Sequence, residues 1–437
     1  MYWCSLVELD SLFSLILIIV YGLFSLRSVN SRLNDVYFFC RLLPILFVVG
    51  YYIETGVFNP SSSGFTISNL ISIDILLALL VSVIMYSFNS FESVLLLLFA
   101  FIGQYFMLHS VDLLTFYIAL EAQNFSFLVL CGLLCNRESS SFSVEATLKY
   151  FLLSAFSSGV ILFWFSTIYL QTGLSVLNFS SCLDSYSLQT FSILCAMMFK
   201  LGAAPLHLWM IQIYSGVKRS LLMYISTAPK LSLFGFWVSS FHSVWTDFSV
   251  ILFAVFSIVL GSFGAYSQPA LRTLFAYSTV NEIGLMLTAL ETAGFSSLFQ
   301  HLGIYIVSQL LLWNITDKRL FSILAVSLAG LPPLAGFFGK AWIFWHAGTT
   351  GLYSVLIIGL FCTAVSLVYY LRVLRLFYVS DYSSSAPILY RVVQYNQPRH
   401  LNMYGITSVD SRVVLTSACV VLLVFLPLFV IKPFIVI

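Results

Sequence analysis

The chain has 437 residues, of which 60% are hydrophobic, 17% aromatic and only 8% charged, and its mean hydropathy is +1.00. A water-soluble core cannot bury that much apolar surface, so the composition excludes a soluble protein and indicates a chain that lies almost wholly within a membrane. The formal net charge of +2 distinguishes no class of partner, because the positions of the charges matter more than their sum.

Apolar stretches follow one another at the length that a membrane requires. A bilayer core about 30 Å thick takes about 20 residues of α-helix, and we predict an all-α membrane protein of about fourteen transmembrane helices. The predicted spans are residues 6–26, 36–54, 68–89, 92–109, 111–135, 145–170, 186–214, 220–242, 247–266, 271–291, 295–314, 320–347, 351–378 and 413–435. Acidic Glu8 and Asp10 precede the first apolar stretch, so we expect a retained helix and no cleavable leader.

Basic residues gather on one side of these spans. Fourteen of the nineteen lysines and arginines lie in or beside loops that follow odd-numbered spans, and the loops after even-numbered spans contain none. By the positive-inside rule the basic loops face inward. We therefore expect both termini on the outer side and the polar loop at 379–412 on the inner side.

The sequence lacks the common motifs of soluble nucleotide-binding proteins and metal-dependent hydrolases. The sequence has no P-loop, no GxGxxG after a strand and no HExxH, which argues against nucleotide binding and metal-dependent hydrolysis. The eight cysteines are scattered, without the spacing of a zinc or iron–sulfur site, so we predict no metal site.

Charged side chains inside the spans carry the functional argument, because each costs about 2.5–3.5 kcal/mol on insertion scales. They are Glu121, Lys200, Lys230, Glu282 and Lys340. One interpretation is a set of static ion pairs that lock helix packing. The other is a proton relay, because burial and a neighbouring carboxylate shift the pKa of a lysine in opposite directions. We favour the relay, since the bases inside the spans are lysines, whereas all twelve arginines, which do not release protons, lie at one face.

Prolines interrupt three spans that carry these lysines. They are Pro205 after Lys200 in span 7, Pro229 before Lys230 in span 8, and Pro332 and Pro333 before Lys340 in span 12. Since proline removes a backbone donor, we predict that helices 7, 8 and 12 are broken. Their recurrence predicts two inverted five-helix repeats, helices 4–8 (residues 92–242) and 9–13 (247–378). The N-terminal helices at 1–90 and a C-terminal helix at 413–437 complete a single polytopic domain.

Other polar residues in the spans leave alternatives open. His207 follows Lys200 by seven residues, two turns along one helical face, and is either a further relay group or a structural hydrogen bonder. Lys149 has Glu145 four residues before it, so it is either a relay group or half of an interfacial ion pair. The remaining candidates, Asp74, His109 and His301, are expected to be packing or interface groups.

Four motifs resemble a known family. They are FKLGAAPLHLW at 199–209, ISTAPKL at 225–231, RTLFAYSTVNEIG at 272–284 and LAGLPPLAGFFGK at 328–340. In these the chain resembles subunit 2 of mitochondrial NADH:ubiquinone oxidoreductase, which is related to bacterial subunit N and to cation/proton antiporter subunits. A lysine at 340 favours subunit 2 over subunit 4, which has a glutamate there.

The resemblance implies a core membrane-arm subunit of respiratory complex I that translocates protons while electrons pass from NADH to ubiquinone. It assigns Glu121, Lys149, Lys200, Lys230 and Lys340 to the hydrophilic axis of the family. It also implies a mitochondrial inner-membrane location, with the termini in the intermembrane space. Together with the candidates above, the predicted proton relay is Glu121, Lys149, Lys200, His207, Lys230, Glu282 and Lys340.

The same resemblance sets expectations for cofactors and partners. No cofactor is expected in this chain, while NADH, FMN, iron–sulfur clusters and ubiquinone belong elsewhere in the complex. The expected partners are the adjacent small three-helix subunit, the antiporter-like subunit 4, the lateral helix of subunit 5 and membrane lipids, with no nucleic acid.

The chain departs from the family pattern at two places. It has Ile211 and Gln212 where the family commonly has Pro-Asp, and Glu282 where the AYSS motif is commonly followed by a histidine. A glutamate can serve as a relay group too. Two other functions stay open from the residues alone: a subunit of a cation/proton antiporter that exchanges Na⁺ or K⁺ for protons, and a structural membrane anchor.

Overall fold

The computed structural model describes residues 33–54, 65–88, 90–110, 112–133, 140–173, 187–241, 248–314 and 318–379. The predicted spans at 6–26 and 413–435, and residues 380–412 of the predicted polar loop, lie outside the described residues.

Within these residues the chain is almost entirely helical, which confirms the all-α prediction for this part. The helices are α1 (Leu33–Glu54), α2 (Phe65–Met85), α3 (Phe91–Leu108), α4 (Leu113–Leu133), α5 (Ser140–Thr172), α6 (Ser187–Leu201), α7 (Leu208–Gly216), α8 (Arg219–Phe236), α9 (Phe248–Ser267), α10 (Leu271–Glu291), α11 (Phe295–Asn314), α12 (Lys318–Ala329), α13 (Ala335–Thr349) and α14 (Tyr353–Val379). A π-helical turn, Trp237–Phe241, follows α8.

Seven stretches among the described residues are long and apolar enough to cross a membrane. They are Phe91–Leu108, Leu113–Leu133, Ser143–Gln171, Arg219–Ser239, Ser249–Ser267, Phe295–Asn314 and Tyr353–Leu376. Of the seven other predicted spans, 1 and 14 lie outside the described residues, and 2 and 3 correspond to α1 and α2, whose apolar parts, Cys40–Val49 and Ser72–Met85, are shorter. The remaining three are divided or polar helices. Spans 7 and 12 each consist of two short helices, and α10 contains Arg272, Glu282 and Glu291.

Spans 7 and 12 are divided in the same way. A non-helical turn separates α6 from α7, and another separates α12 from α13. The turns contain the cis peptide bonds Ala204–Pro205 and Pro332–Pro333. Each turn starts at a glycine with positive φ, Gly202 at 79° and Gly330 at 80°. Glycine adopts this left-handed conformation without steric cost, so it ends the first helix of each pair.

Span 8 differs from the predicted broken helix. The helix α8 continues through Pro229 and ends at Phe236, where the π-helical turn begins. A proline removes one backbone donor and bends a membrane helix without ending it, provided that the surrounding groups satisfy the backbone. The irregular backbone therefore lies about two turns beyond Lys230 rather than beside it.

Packing divides the chain into two compact units. The first unit is Met1–Ile193 with Ala228–Val244, and the second is Leu194–Thr227 with Trp245–Ile437. The chain passes from one unit to the other within α6 and again within α8. The segment 194–227, which lies within the predicted first repeat (92–242), belongs to the second unit.

In the first unit, α5 has a broad apolar surface. Phe156 is 75% exposed and Leu170 is 81% exposed, and the apolar neighbours Leu152 and Phe163 are exposed as well. Side chains of this kind lie exposed where lipid replaces water as the solvent.

In the second unit, α10 is the buried centre. Every residue from Ser278 to Leu290 is buried. The helix α9 packs directly on its backbone, because a Cβ atom added to Gly261 would lie 2.5 Å from the backbone nitrogen of Asn281 and 2.8 Å from its Cα. Small residues allow such close approach of membrane helices. The contact therefore fixes the position of Asn281 and of its neighbour Glu282.

We expect Gly261→Ala to destabilise the second unit, by about 1–3 kcal/mol, because the new methyl group meets backbone that cannot move aside. The matched control is Gly303→Ala in α11, where an added Cβ meets nothing within 4 Å. Thermal unfolding in detergent should show a lower midpoint for Gly261→Ala and an unchanged or higher one for Gly303→Ala. Equal midpoints would contradict this account of α9 and α10.

Candidate functional site

Three helices of the second unit, α10, α11 and α13, bring a carboxylate, an imidazole and an amine together. Lys340 Nζ lies 2.9 Å from Glu282 Oε1. His301 Nε2 lies 2.9 Å from Glu282 Oε2. All three side chains are buried, with exposed fractions of 6% or less. Each oxygen of one carboxylate therefore has a nitrogen partner, and Glu282 lies between Lys340 and His301.

The division of span 12 positions Lys340. The helix α12 ends at Ala329, and the carbonyl of Leu328 in its last turn accepts a hydrogen bond of 2.8 Å from Lys340 Nζ. The last carbonyls of a helix have no partner within the helix and form its negative end, so they stabilise a cation. A Cβ atom at Gly330 would lie 3.3 Å from Lys340 Cδ, so glycine leaves room for the lysine side chain.

Buried charges of this kind depend on one another. Removing two charges from water costs several kcal/mol per ion, which close contact and further hydrogen bonds offset. Removing one partner costs about 3–5 kcal/mol because the other charge remains buried and unpaired. Lysine and histidine can release a proton and glutamate can take one, so the group Glu282, His301 and Lys340 can redistribute protons when a nearby charge changes.

His301 was not among the predicted relay residues. From the sequence, His301 is expected to be a packing or interface group, whereas in the structure its Nε2 contacts the Glu282 carboxylate. Its second nitrogen, Nδ1, is buried and has no hydrogen-bond partner among the described residues. Because Nε2 faces a carboxylate, Nε2 is the nitrogen that carries the hydrogen in the neutral ring, and Nδ1 is then a free acceptor.

A signal for His301 was present in the sequence. The helices α10 and α11 are joined by a loop of three residues, so they are antiparallel neighbours. Glu282 lies nine residues before the end of α10, and His301 lies six residues after the start of α11. Residues at similar distances from a tight turn lie at similar depth, which would have predicted the pair.

Three buried tyrosines lie in the same unit as this carboxylate. Tyr305 on α11 and Tyr369 and Tyr370 on α14 are at most 2% exposed. Each interacts electrostatically with Glu282.

Lys200 and His207 lie on the two sides of the turn in span 7. Lys200 is the second-last residue of α6 and is half-buried, and His207 directly precedes α7. The prediction that they share one helical face is wrong, because residues 202–207 are not helical. His207 Nδ1 lies 3.2 Å from the carbonyl oxygen of Pro205, and its ring meets Tyr277 edge-on at 5.7 Å. His207 therefore has the contacts of a structural hydrogen bonder.

The first unit contains the other predicted relay residues, beginning with Glu121 on α4. Asn124 Nδ2 donates to Glu121 Oε1 at 3.3 Å, and the Tyr150 hydroxyl on α5 donates to Asn124 Oδ1 at 3.4 Å. Lys149, next to Tyr150, pairs with Glu145 at 2.5 Å, and both side chains are about half-exposed. This is the geometry of the interfacial pair that the sequence analysis left open.

Lys230 is 4% exposed and lies within α8, directly after Pro229. Unlike Lys149, it is buried, and its side chain is not without a partner. No group of three or more histidine, cysteine, aspartate or glutamate side chains in the described part of the chain is arranged to hold a metal ion.

Solved structures share this fold. A chain of respiratory complex I from Thermus thermophilus superposes with a TM-score of 0.75 at 23% identity, covering 96% of this chain and 98% of that chain. A chain of the Mrp complex from Dietzia gives a TM-score of 0.71 at 16% identity, covering 97% and 95%. At these identities the likeness concerns the fold alone.

Sequence comparison identifies the family. Residues 110–319 match the family model described as "NADH:quinone oxidoreductase/Mrp antiporter, TM". NADH-ubiquinone oxidoreductase chain 2 of Marchantia polymorpha is 30% identical over 338 residues, 67% of this chain and 68% of that protein. The protein of the same name from Chlamydomonas reinhardtii is 50% identical over 431 residues, which are 99% of this chain and 100% of that protein. The chain therefore belongs to the family of NADH-ubiquinone oxidoreductase chain 2.

Proposed function

We propose that this chain is a core membrane-arm subunit of respiratory complex I, and that it translocates protons across the mitochondrial inner membrane while the complex passes electrons from NADH to ubiquinone. The observation that carries the proposal is its full-length likeness to an NADH-ubiquinone oxidoreductase chain 2, at 50% identity. The buried group of Glu282, His301 and Lys340 supplies protonatable side chains where such a function needs them.

The proposed relay consists of the seven predicted residues with His301 added. They are Glu121, Lys149, Lys200, His207, Lys230, Glu282, His301 and Lys340. Quinone reduction elsewhere in the complex changes the charge near one end, and each proton shift alters the proton affinity of the next group through a medium of low dielectric constant. The chain itself holds no redox centre in this proposal, and NADH, FMN, iron–sulfur clusters and ubiquinone act in other subunits.

At the Glu282 group the proton can move along two hydrogen bonds. Lys340 donates to Glu282 Oε1 and to the carbonyl of Leu328, so a lysine that passes its proton to the carboxylate keeps a hydrogen-bond partner. His301 Nε2 contacts the other carboxylate oxygen and its Nδ1 is a free acceptor, so a ring that takes up a proton at Nδ1 can pass its Nε2 proton to the carboxylate and become neutral again. Arginine at 340 could not take part, because it does not release its proton.

The finer features belong to the same proposal. The two inverted repeats place a lysine-bearing helix in each half, Lys200 in helix 7 and Lys340 in helix 12. The termini face the intermembrane space, in keeping with the distribution of basic residues. The partners are the small three-helix subunit, the antiporter-like subunit 4, the lateral helix of subunit 5 and lipids of the membrane.

A cation/proton antiporter subunit is the second candidate, and the shared family model and the likeness to the Mrp chain are the observations that favour it. Purification distinguishes the two functions. A subunit of complex I copurifies with NADH dehydrogenase activity, whereas an antiporter subunit copurifies with Na⁺- or K⁺-dependent proton exchange. A structural anchor, in contrast, would tolerate replacement of both Lys200 and Lys340 by methionine.

Lys340 variants test the relay. We expect Lys340→Met to lower proton pumping at least severalfold and also to destabilise the unit, by about 3–5 kcal/mol, because Glu282 stays buried without its lysine. The double variant Lys340→Met/Glu282→Gln removes both charges, so it should restore assembly but leave pumping low. Proton uptake by membrane vesicles is measured together with NADH oxidation by ubiquinone and by an artificial acceptor.

The matched control is Lys218→Met, since Lys218 lies between α7 and α8 outside any helix. It should pump as the unaltered complex does. If the double variant pumps as many protons as the unaltered complex, Lys340 is not a relay residue. If assembly and pumping are both restored, the ion pair of Glu282 and Lys340 has only a structural role.

His301 variants separate a relay role from a positioning role. His301→Gln retains an N–H donor toward Glu282 but cannot exchange a proton, and His301→Leu loses the donor. If His301 is a relay residue, both variants should lower proton pumping severalfold, while NADH oxidation by an artificial acceptor stays intact. If His301→Gln pumps normally and His301→Leu does not, the ring only positions the carboxylate. If both pump normally, the histidine has neither role.

A further inference from the structure

A second buried group of protonatable side chains lies in the first unit, outside the proposed relay. The helices α1, α2 and α3 bring Tyr52, Asp74 and His109 together. The Tyr52 hydroxyl donates to Asp74 Oδ2, and His109 Nε2 lies 2.9 Å from the same oxygen. Asp74 is 0% exposed and Tyr52 is 4% exposed. From the sequence, Asp74 and His109 are expected to be packing or interface groups. The structure shows in addition that they contact each other.

The hydrogen bonds of Asp74 indicate that the pair holds a proton. Both of its bonds end on Oδ2, while Oδ1 is buried and has no hydrogen-bond partner among the described residues. An ionised carboxylate in an apolar interior is costly unless a cation or several donors compensate it. The cost is avoided with a proton on the Asp74 carboxyl group or with a second proton on His109. In both forms the pair is neutral and carries one exchangeable proton.

His109 gives this proton a route to water. It directly follows α3, its side chain is 24% exposed, and its ring lies 4.6 Å from that of Tyr105. A single hydrogen bond therefore connects a group that reaches the surface with a carboxylate that does not. The proton moves when the Nε2–H bond of a charged His109 breaks and an O–H bond forms at Asp74, so the pair stays neutral throughout.

The helix that carries Lys230 packs beside the cluster. A Cβ atom at Gly235 of α8 would lie 2.6 Å from Leu108 Cδ2 and 3.3 Å from Ile73 Cγ2. Leu108 and Ile73 directly precede His109 and Asp74, so α8 packs against the side chains that are next to the pair in sequence. Lys230 lies five residues before Gly235, a rise of about 7.5 Å along the helix. The π-helical turn follows at Trp237, and such turns often occur at functional sites.

We propose that Asp74 and His109 form a proton-exchange site that connects the interior around Lys230 with the aqueous phase at the end of α3. The proposal rests on the proposed proton-translocating function and adds a site of access to it. The loop after α3 follows an even-numbered span, so the positive-inside rule predicts that this aqueous phase is the outer one. The titratable groups that face the pair are Tyr52 on α1 and Tyr105 on α3, with Lys230 further along α8.

The test uses Asp74→Asn and His109→Gln in the assembled complex within membrane vesicles. The amide oxygen introduced by Asp74→Asn still accepts the hydrogen bonds of Tyr52 and His109, and the amide introduced by His109→Gln still donates to Asp74, but neither variant can exchange a proton at the altered position. We expect each to pump at least severalfold fewer protons than the unaltered complex, with assembly and artificial-acceptor NADH oxidation unchanged. The matched control is Asp112→Asn in the same unit, at the start of α4, which should pump normally.

Infrared difference spectra give a second readout that a structural role would not move. A pH-dependent carbonyl band of a protonated carboxylic acid should be present in the unaltered complex and absent in Asp74→Asn, and it should titrate differently in His109→Gln. Normal pumping by Asp74→Asn and His109→Gln, with no lost band, would overturn the proposal. Lys340→Met distinguishes failure of the access site from failure of the proposed function. If Lys340→Met fails to pump protons while Asp74→Asn pumps them, only the proposed access site is wrong. If both variants pump protons, the proposed function fails as well.

Discussion

The ion pair between Glu282 and Lys340 is the interaction on which the second unit depends, because neither charge can remain in an apolar interior without the other. Its geometry explains several otherwise separate features. The helix of span 12 is divided, which frees the carbonyl of Leu328 for the lysine. Gly330 leaves space for the lysine side chain, and the backbone contact at Gly261 holds α10, which carries the glutamate, close to α9. The local backbone irregularities thus serve one buried electrostatic contact.

The sequence predicts those features of the fold that depend on the apolar surroundings of a membrane. Apolar length predicted the helices, and prolines predicted breaks in spans 7, 8 and 12. The turns in spans 7 and 12 also contain a glycine with positive φ, Gly202 and Gly330, whereas α8 continues through Pro229. A proline alone removes one hydrogen bond, whereas a glycine in the left-handed conformation ends a helix at little steric cost. Among these three spans, the described helix ends where such a glycine accompanies the proline.

The candidate site could be predicted only in part, because a sequence shows which residues are charged but not which side chains lie close together in the fold. Glu282 and Lys340 were identified from the cost of burying them, but His301 was not, since a neutral histidine carries no such cost. The same reasoning applies to His109, whereas Asp74 is a carboxylate that carries this cost and was nevertheless expected to be a packing or interface group. The prediction that His207 shares a helical face with Lys200 is wrong, since a spacing of seven residues gives one face only where the helix is continuous, and here it ends at Leu201.

The contact with His301 offers a physical explanation for Glu282, the residue at which this chain departs from the family pattern. Where the family commonly has a histidine on helix 10, this chain has a carboxylate, and it has a histidine on the neighbouring helix that contacts that carboxylate. Proton transfer depends on the chemical groups within hydrogen-bond reach, not on the helix from which they come. An imidazole on α11 beside a carboxylate on α10 therefore retains a histidine at this place and adds an acid that holds Lys340. The pair at Asp74 and His109 repeats this combination of acid and imidazole on adjacent helices of the first unit.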